Sequence, residues 1–152
     1  MKKFAWLILL IWLLPNGLTA QAKTDLQDLI DETPANGTLQ LKKGEYEGPF
    51  TISKPITIIG EEGVMITSEA EGIIVDNVNG LMLQGIQFET VKTPLKVTNS
   101  KQVEMIDLQF VIQEESVYFE NIEQLILEQL NVSSESKKHF SQKPNGIDIF
   151  KS

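Results

Sequence analysis

The chain has 152 residues, no cysteine, no arginine and one histidine, and its net charge is −8. Its acids are scattered and its lysines form no basic patch, which excludes nucleic acid as a partner, because phosphates require such a patch. Without cysteine, neither a disulfide scaffold nor a thiolate metal site can form.

The first 22 residues predict a secretory signal peptide. Two lysines precede an apolar run from Phe4 to Leu14, helix-breaking residues follow, and Ala20-Gln21-Ala22 is typical of a cleavage site. The run is short for crossing a bilayer, although a transmembrane anchor is the alternative. We therefore expect an exported protein, periplasmic or extracellular. Residues 23–152 would form one domain with no stable membrane insertion after cleavage.

A short amphipathic helix is predicted next, at about residues 24–32. Thr24 and Gln27 match a capping box, while Leu26 and Ile30 fall on one helical face. Such a helix would cover the apolar interior of the first coil of the domain.

Coils are predicted from about residue 38. Strands are expected around residues 39–41, 50–52 and 56–59, with turns at Gly44, Gly48 and Gly60. Phe50 precedes Ile73 by 23 residues, so these strands form an extra coil in which Lys54 stands where later coils have asparagine.

Three segments then repeat with a period of 22 residues, beginning at Ile73, Leu95 and Val117. Each contains three short apolar and polar alternations, with asparagine at its fifth position. A period near 22 with three such stretches predicts a solenoid, in which every stretch pairs with its copy in the next coil. The domain is therefore expected to be all-β, a parallel β-helix of about four coils.

Alternation assigns the inward side chains to three sheets. The first sheet takes Ile73, Val75, Leu95, Val97, Val117 and Phe119; the second takes Leu81, Leu83, Val103, Met105, Leu125 and Leu127; the third takes Ile86, Phe88, Leu108, Phe110, Leu130 and Val132. The corner asparagines Asn77, Asn99 and Asn121 are interpreted as a structural ladder, because asparagine tolerates left-handed angles and stacked amides can bond to each other.

The period breaks after Ser133. The spacing from Val117 to Ile147 is 30 residues, so residues 134–145 are predicted to be a loop inserted between coils. The last residues would start another, incomplete coil with Ile147 and Ile149 inward. Because an open coil end invites aggregation, we expect either a chain truncated at Ser152 or a last coil that a partner closes.

The stretch LQDLIDETPANGTLQLKKGEYEGPFTISKPITIIG, followed by coils with asparagine corners, resembles a known family. It is similar to the opening of right-handed, single-stranded parallel β-helix proteins of the pectin-lyase-like, carbohydrate-binding and sugar-hydrolase type. Within that family it resembles the NosD-like branch. This resemblance implies a periplasmic accessory role in the maturation of a copper enzyme, nitrous oxide reductase.

Candidate chemistry lies on the outward positions of the first sheet. Asp76 and Glu120 fall in one column about 10 Å apart, near the upper limit of about 9.5 Å for an inverting glycosidase pair, and are interpreted as surface acids. Tyr118 and Phe150 would lie on the same face, where aromatic rings can stack on sugars. These four residues form a candidate ligand strip, but no catalytic residue is assigned, because the arginine base and the aspartate motifs of the family's enzymes are missing.

No metal or other cofactor is expected, because Met65, Met82, Met105 and His139 have no ligand spacing. The predicted function is that of a secreted, non-catalytic accessory or interaction module that supports copper-enzyme maturation by binding a protein partner. The alternatives are a pectin-lyase-like protein that binds or cleaves a polysaccharide, and a fragment without independent function. The shortage of basic residues disfavours an acidic polysaccharide.

Overall fold

The computed structural model describes residues 25–90, 92–112, 117–134 and 146–148. They contain one helix, α1 (Leu26–Glu32), and the strands β1 (Gly37–Leu41), β2 (Gly44–Glu47), β3 (Phe50–Ile52), β4 (Ile56–Gly60), β5 (Val64–Ser68), β6 (Ile73–Asp76), β7 (Asn79–Thr90), β8 (Leu95–Thr98), β9 (Lys101–Ile112), β10 (Tyr118–Glu120), β11 (Glu123–Glu128), β12 (Asn131–Ser134) and β13 (Gly146–Asp148). The predicted signal peptide, residues 135–145 of the predicted loop, Ile149 and Phe150 lie outside the described residues.

The strands form a parallel β-solenoid of about four turns, which confirms the predicted fold class. Successive coils stack with the register that the 22-residue period predicts. Ile73 pairs with Leu95 in the β6–β8 ladder, and Leu81 pairs with Val103 in the β7–β9 ladder. At the start of the solenoid, Phe50 pairs with Ile73, as its 23-residue spacing indicates.

Two sheets, rather than three, build the coils. The five-stranded sheet contains β3, β6, β8, β10 and β13, and the eight-stranded sheet contains the other strands. The predicted second and third stretches of a coil are two halves of one long strand, because β7 and β9 stay hydrogen-bonded while they bend at Gly85 and Asp107. The half before the bend, with β1, β4 and β11, is called the first arm. The half after it, with β2, β5 and β12, is the second arm.

The inward positions form one apolar core, as alternation predicts. Their side chains are buried in the described inner coils, and Phe88 stacks on Phe110 with ring centroids 5.0 Å apart. In the last coil, Leu125, Leu127 and Val132 are only partly buried. Burial of one such side chain contributes about 1.5–3 kcal/mol, so the inner coils stabilise the solenoid more than its end does.

Each coil turns at residues with left-handed backbone angles. Three columns of such residues run along the solenoid: Asn77, Asn99 and Asn121 at φ 54°, 50° and 53°; Gly80, Gln102 and Gln124 at 103°, 51° and 66°; and Gly85, Asp107 and Gln129 at 68°, 50° and 53°. Asparagine and glycine favour this conformation, whereas glutamine does not. The sequence therefore predicted the asparagine column but not the glutamine positions.

Helix α1 covers the first edge of the five-stranded sheet. Its N-cap is Asp25, which accepts a hydrogen bond of 2.9 Å from the backbone of Gln27; the expected cap, Thr24, lies outside the described residues. The side-chain amide of Gln27 donates to the Thr51 carbonyl (3.1 Å) and accepts from the Thr51 N–H (2.8 Å). Lys54, which occupies the ladder position of the first coil, donates to the Asp31 carbonyl of α1. In the described part of the chain, no helix has the length and apolar character to span a membrane.

Two local expectations differ from the structure. Gly44 begins strand β2 instead of forming a turn, because the second arm already exists in the first coil. Strand β13 does not start another parallel coil: it runs antiparallel to β10, with Phe119 opposite Ile147. Alternating apolar residues determine which face a side chain occupies, but they carry no information on strand direction.

Candidate functional site

The outer face of the five-stranded sheet holds three of the four predicted strip residues. Asp76, Thr98 and Glu120 occupy one column in successive coils, which confirms the shared column of the two acids. Tyr118 lies beside Lys96 in the neighbouring column. Phe150, the fourth residue, lies outside the described residues.

Asp76 is held as a carboxylate. Its Oδ1 accepts hydrogen bonds from Thr98 Oγ1 at 2.7 Å and from Asn99 Nδ2 at 2.9 Å. These bonds, with a smaller contribution from the charge of Lys96, lower the pKa of Asp76 below its usual value. A general acid needs the opposite shift, so Asp76 is unsuited to protonate a leaving group.

Glu120 and Tyr118 form a pair on the last described coil of this sheet. The Tyr118 hydroxyl donates to Glu120 Oε2 at 2.9 Å, and both side chains are partly buried. The pair fixes the aromatic ring on a coil that lies two strand spacings, or about 10 Å, from the coil of Asp76. What it offers chemically is a polar and aromatic contact surface.

The asparagine ladder lies next to the candidate ligand strip and is hydrogen-bonded to it. Asn121 Nδ2 donates to Asn99 Oδ1 at 3.0 Å, and Asn99 Nδ2 then donates to Asp76 instead of continuing to Asn77. The backbone N–H groups of Asn77 and Asn99 bond to the Thr98 and Glu120 carbonyls of the next coil. The ladder thus bonds neighbouring coils at their corners and links the corner column to Asp76.

A buried serine completes the corner on its inner side. Ser100 is 1 % exposed, and its hydroxyl accepts from the Val78 N–H at 3.1 Å while it donates to the Thr98 carbonyl at 2.7 Å. This arrangement satisfies a backbone donor that would otherwise be buried without a partner. Its contribution is therefore to the stability of the turn.

The residues considered as metal ligands lie apart. In the described part of the chain, no three Asp, Glu or His side chains come together. Met105 is fully buried in the core, Met65 and Met82 lie on strands of different arms, and His139 is outside the described residues.

A feature that the sequence analysis missed is an apolar strip on the outside of the first arm. Its outward positions form two columns: Thr57, Met82, Glu104 and Ile126 in one, and Ile59, Gln84, Ile106 and Glu128 in the other. Each coil contributes one apolar and one polar residue, and the apolar residue changes column from coil to coil. Ile59, Met82, Ile106 and Ile126 therefore trace a zigzag, which we call the zigzag strip.

The zigzag strip borders a shallow groove of about 550 Å³. Met82 and Ile126 line the groove together with the corner residues Gly80, Gln102 and Gln124, and Ile126 is 45 % exposed. The sequence did contain a signal for this feature. In ITII, LMLQ, VEMI and LILE, apolar residues occupy outward as well as inward positions, which departs from the alternation expected of a sheet with a solvated face.

Comparison with known proteins adds no assignment, since no family model, no curated protein and no solved structure matches the chain.

Proposed function

We propose that the protein is an exported, non-catalytic interaction module that binds a protein partner through the zigzag strip. The observation that carries this proposal is the apolar residue that every coil of the zigzag strip places on its outer face. Ile59, Met82, Ile106 and Ile126 point away from the core in four successive coils, where the fold requires no apolar residue.

The composition of the surface favours a protein over a sugar. Protein interfaces combine an apolar centre, often containing methionine, with a polar rim. The strip has this composition, because its apolar residues are flanked by Gln84, Gln102 and Gln124. Sugar-binding grooves use aromatic rings, and no aromatic residue lines the groove in the described part of the chain.

The charges of the strip indicate what the partner should carry. Glu104 and Glu128 are the charged residues of its two columns, and both are acidic. A complementary partner surface therefore has an apolar centre and lysine or arginine at its edge.

The identity of the partner follows from the NosD-like resemblance, which belongs to the same proposal. On that basis the partner is an exported copper enzyme or its transporter, and the protein is a rigid accessory surface for metal-site maturation, not a metal carrier. The proposed export rests on the N-terminal sequence alone.

Site-specific photo-cross-linking in the native host tests the proposal. A photoreactive residue at position 82 should give a covalent adduct with one partner, whereas the same residue at position 87 should not. Gln87 is a matched control, because it lies on the same strand, β7, with comparable exposure, but on the second arm.

Met82→Asp should reduce co-purification of that partner by about tenfold or more, as removal of a central contact does. Equal adducts at both positions, or none at position 82, would contradict the proposal. Mass spectrometry of the adduct tests the copper-enzyme assignment separately.

A further inference from the structure

The last coil ends, within the described residues, in two strands that have a neighbour on one side only. Strands β11 and β12 both pair with β9, and no described strand pairs with their far edges. In the five-stranded sheet, by contrast, β13 covers the far edge of β10. Free N–H and C=O groups along a strand edge can pair with a strand from another molecule.

The side chains at this end are also incompletely covered. Leu125, Leu127, Leu130 and Val132 are partly buried, whereas their counterparts one coil earlier, Val103, Met105, Leu108 and Phe110, are at most 2 % exposed. A further strand on β11 and β12 would cover these four residues as each inner coil covers the one before it.

The charge of the last coil indicates the chemistry of such a strand. Strands β11 and β12 contain Glu123 and Glu128 but no lysine. Lys101, which forms an ion pair with Glu123 at 2.6 Å, belongs to the preceding coil. Within the described residues, this end of the solenoid therefore combines apolar side chains with two glutamates at its rim.

We propose that the far edges of β11 and β12 form a strand-addition site for an extended segment of a partner protein in which apolar residues alternate with lysine or arginine. Main-chain hydrogen bonds would give affinity, and the alternation would place apolar side chains over the core and basic ones beside the glutamates. This surface is the far edge of the last described coil and not the outer face of the first arm, although β11 also carries Ile126 and Glu128 of the zigzag columns. The proposal therefore goes beyond the proposed function. A second copy joined tail to tail is less favourable, because the glutamates of the two last coils would face each other.

The test uses the full chain as its host produces it and a synthetic peptide of alternating valine and lysine, matched to the 12-residue length of β9. A peptide with glutamate in place of lysine is its control. We expect the lysine peptide to bind and the glutamate peptide not to bind. Hydrogen exchange should show new protection in β11 and β12, but not in β1 and β2 at the other end of the solenoid.

Two matched variants then test the charge. Glu123→Gln with Glu128→Gln should raise the Kd of the lysine peptide about three- to tenfold, as expected for two exposed ion pairs. Glu45→Gln with Glu47→Gln makes the same change on β2 and should leave the Kd unchanged. Met82→Asp, which tests the zigzag strip, should also leave it unchanged, so the two proposals can fail separately.

Several results would overturn the strand-addition site. One is that the two peptides bind equally well or that neither binds. Another is that Glu45→Gln with Glu47→Gln on β2 raises the Kd of the lysine peptide. Protection of both edges of β11 and β12 without peptide would show that the site is already occupied. A monomeric mass would then assign the occupant to this chain, and a dimeric mass to a second copy.

Discussion

Replacing Gln102 with glycine should stabilise the protein, although the change removes a side chain. Gln102 has φ of 51°, in a column where the preceding coil has Gly80 at 103°. A residue with a Cβ atom in this conformation costs about 1–2 kcal/mol, and the extra backbone freedom of glycine in the unfolded chain costs about 0.5–1 kcal/mol. The net expectation is an increase in the free energy of unfolding of about 0.5–1 kcal/mol.

The matched control is Gln109→Gly on the same strand, β9. Gln109 is exposed like Gln102, but it lies in the regular part of the ladder, between Gln87 and Asn131. There glycine gains nothing from its tolerance of positive φ, so the variant should lose about 0.5–1 kcal/mol. The free energy of unfolding should therefore rise in Gln102→Gly and fall in Gln109→Gly.

Urea denaturation measures both effects, with the midpoint compared at unchanged slope. In thermal unfolding, a difference of 1 kcal/mol corresponds to a shift of about 2–4 °C for a chain of this size. If Gln102→Gly destabilised the protein as much as Gln109→Gly does, left-handed strain at the corner would be refuted as the physical reason.

Three further predictions concern the corner between β8 and β9. Ser100→Ala should lower the free energy of unfolding by about 1–3 kcal/mol, measured by urea denaturation, because the buried N–H of Val78 loses its acceptor. Thr98→Val should raise the pKa of Asp76 towards its usual value, measured by NMR titration of the carboxyl carbon, because a hydroxyl donor to the carboxylate is removed. Asn99→Gly and Asn99→Ala lose the same side-chain hydrogen bonds, but alanine keeps the left-handed strain, so the alanine variant should be less stable by about 1 kcal/mol in the same denaturation assay.

These predictions have controls and contrary outcomes. Ser53→Ala, at an exposed position, should change stability little, and a comparable loss there would argue against the buried hydrogen bond. Because the pKa of Asp76 is lowered on folding, its contribution to stability is complete above about pH 4 and is lost as the pH falls through the folded-state pKa. An unchanged pKa in Thr98→Val would contradict the hydroxyl as its main cause.

The repeat made most of the solenoid predictable. A period of 22 residues fixes which residues stack, and alternation fixes which of them face the core, so pairs such as Val75 with Val97 and Phe88 with Phe110 followed directly. Both rules depend on geometry that every coil shares. They were sufficient for the fold class and for the buried residues of the inner coils.

The remaining features depend on context that a periodic pattern does not contain. Glutamine has little intrinsic preference for left-handed angles, so the corners at Gln102 and Gln124 follow from their neighbours in the stack. Asn99 donates its hydrogen bond to Asp76 because an aspartate precedes Asn77 in the sequence. The antiparallel direction of β13 cannot be deduced from its alternation of apolar and polar residues. The zigzag strip can be predicted only when its two columns are considered together, because each column alone is an ordinary mixture of apolar and polar residues.

The contact between Gln27 and Thr51 shows how the edge of a solenoid sheet can be closed. A carboxamide has the same donor and acceptor pair as a peptide unit, so one side chain on a helix substitutes for the backbone of a missing strand. A sheet edge that is satisfied in this way offers no template to a passing chain. Residues 25–32 thus close the first edge of the five-stranded sheet, and protein engineers could transplant them to the same edge of other parallel solenoids to block strand addition there.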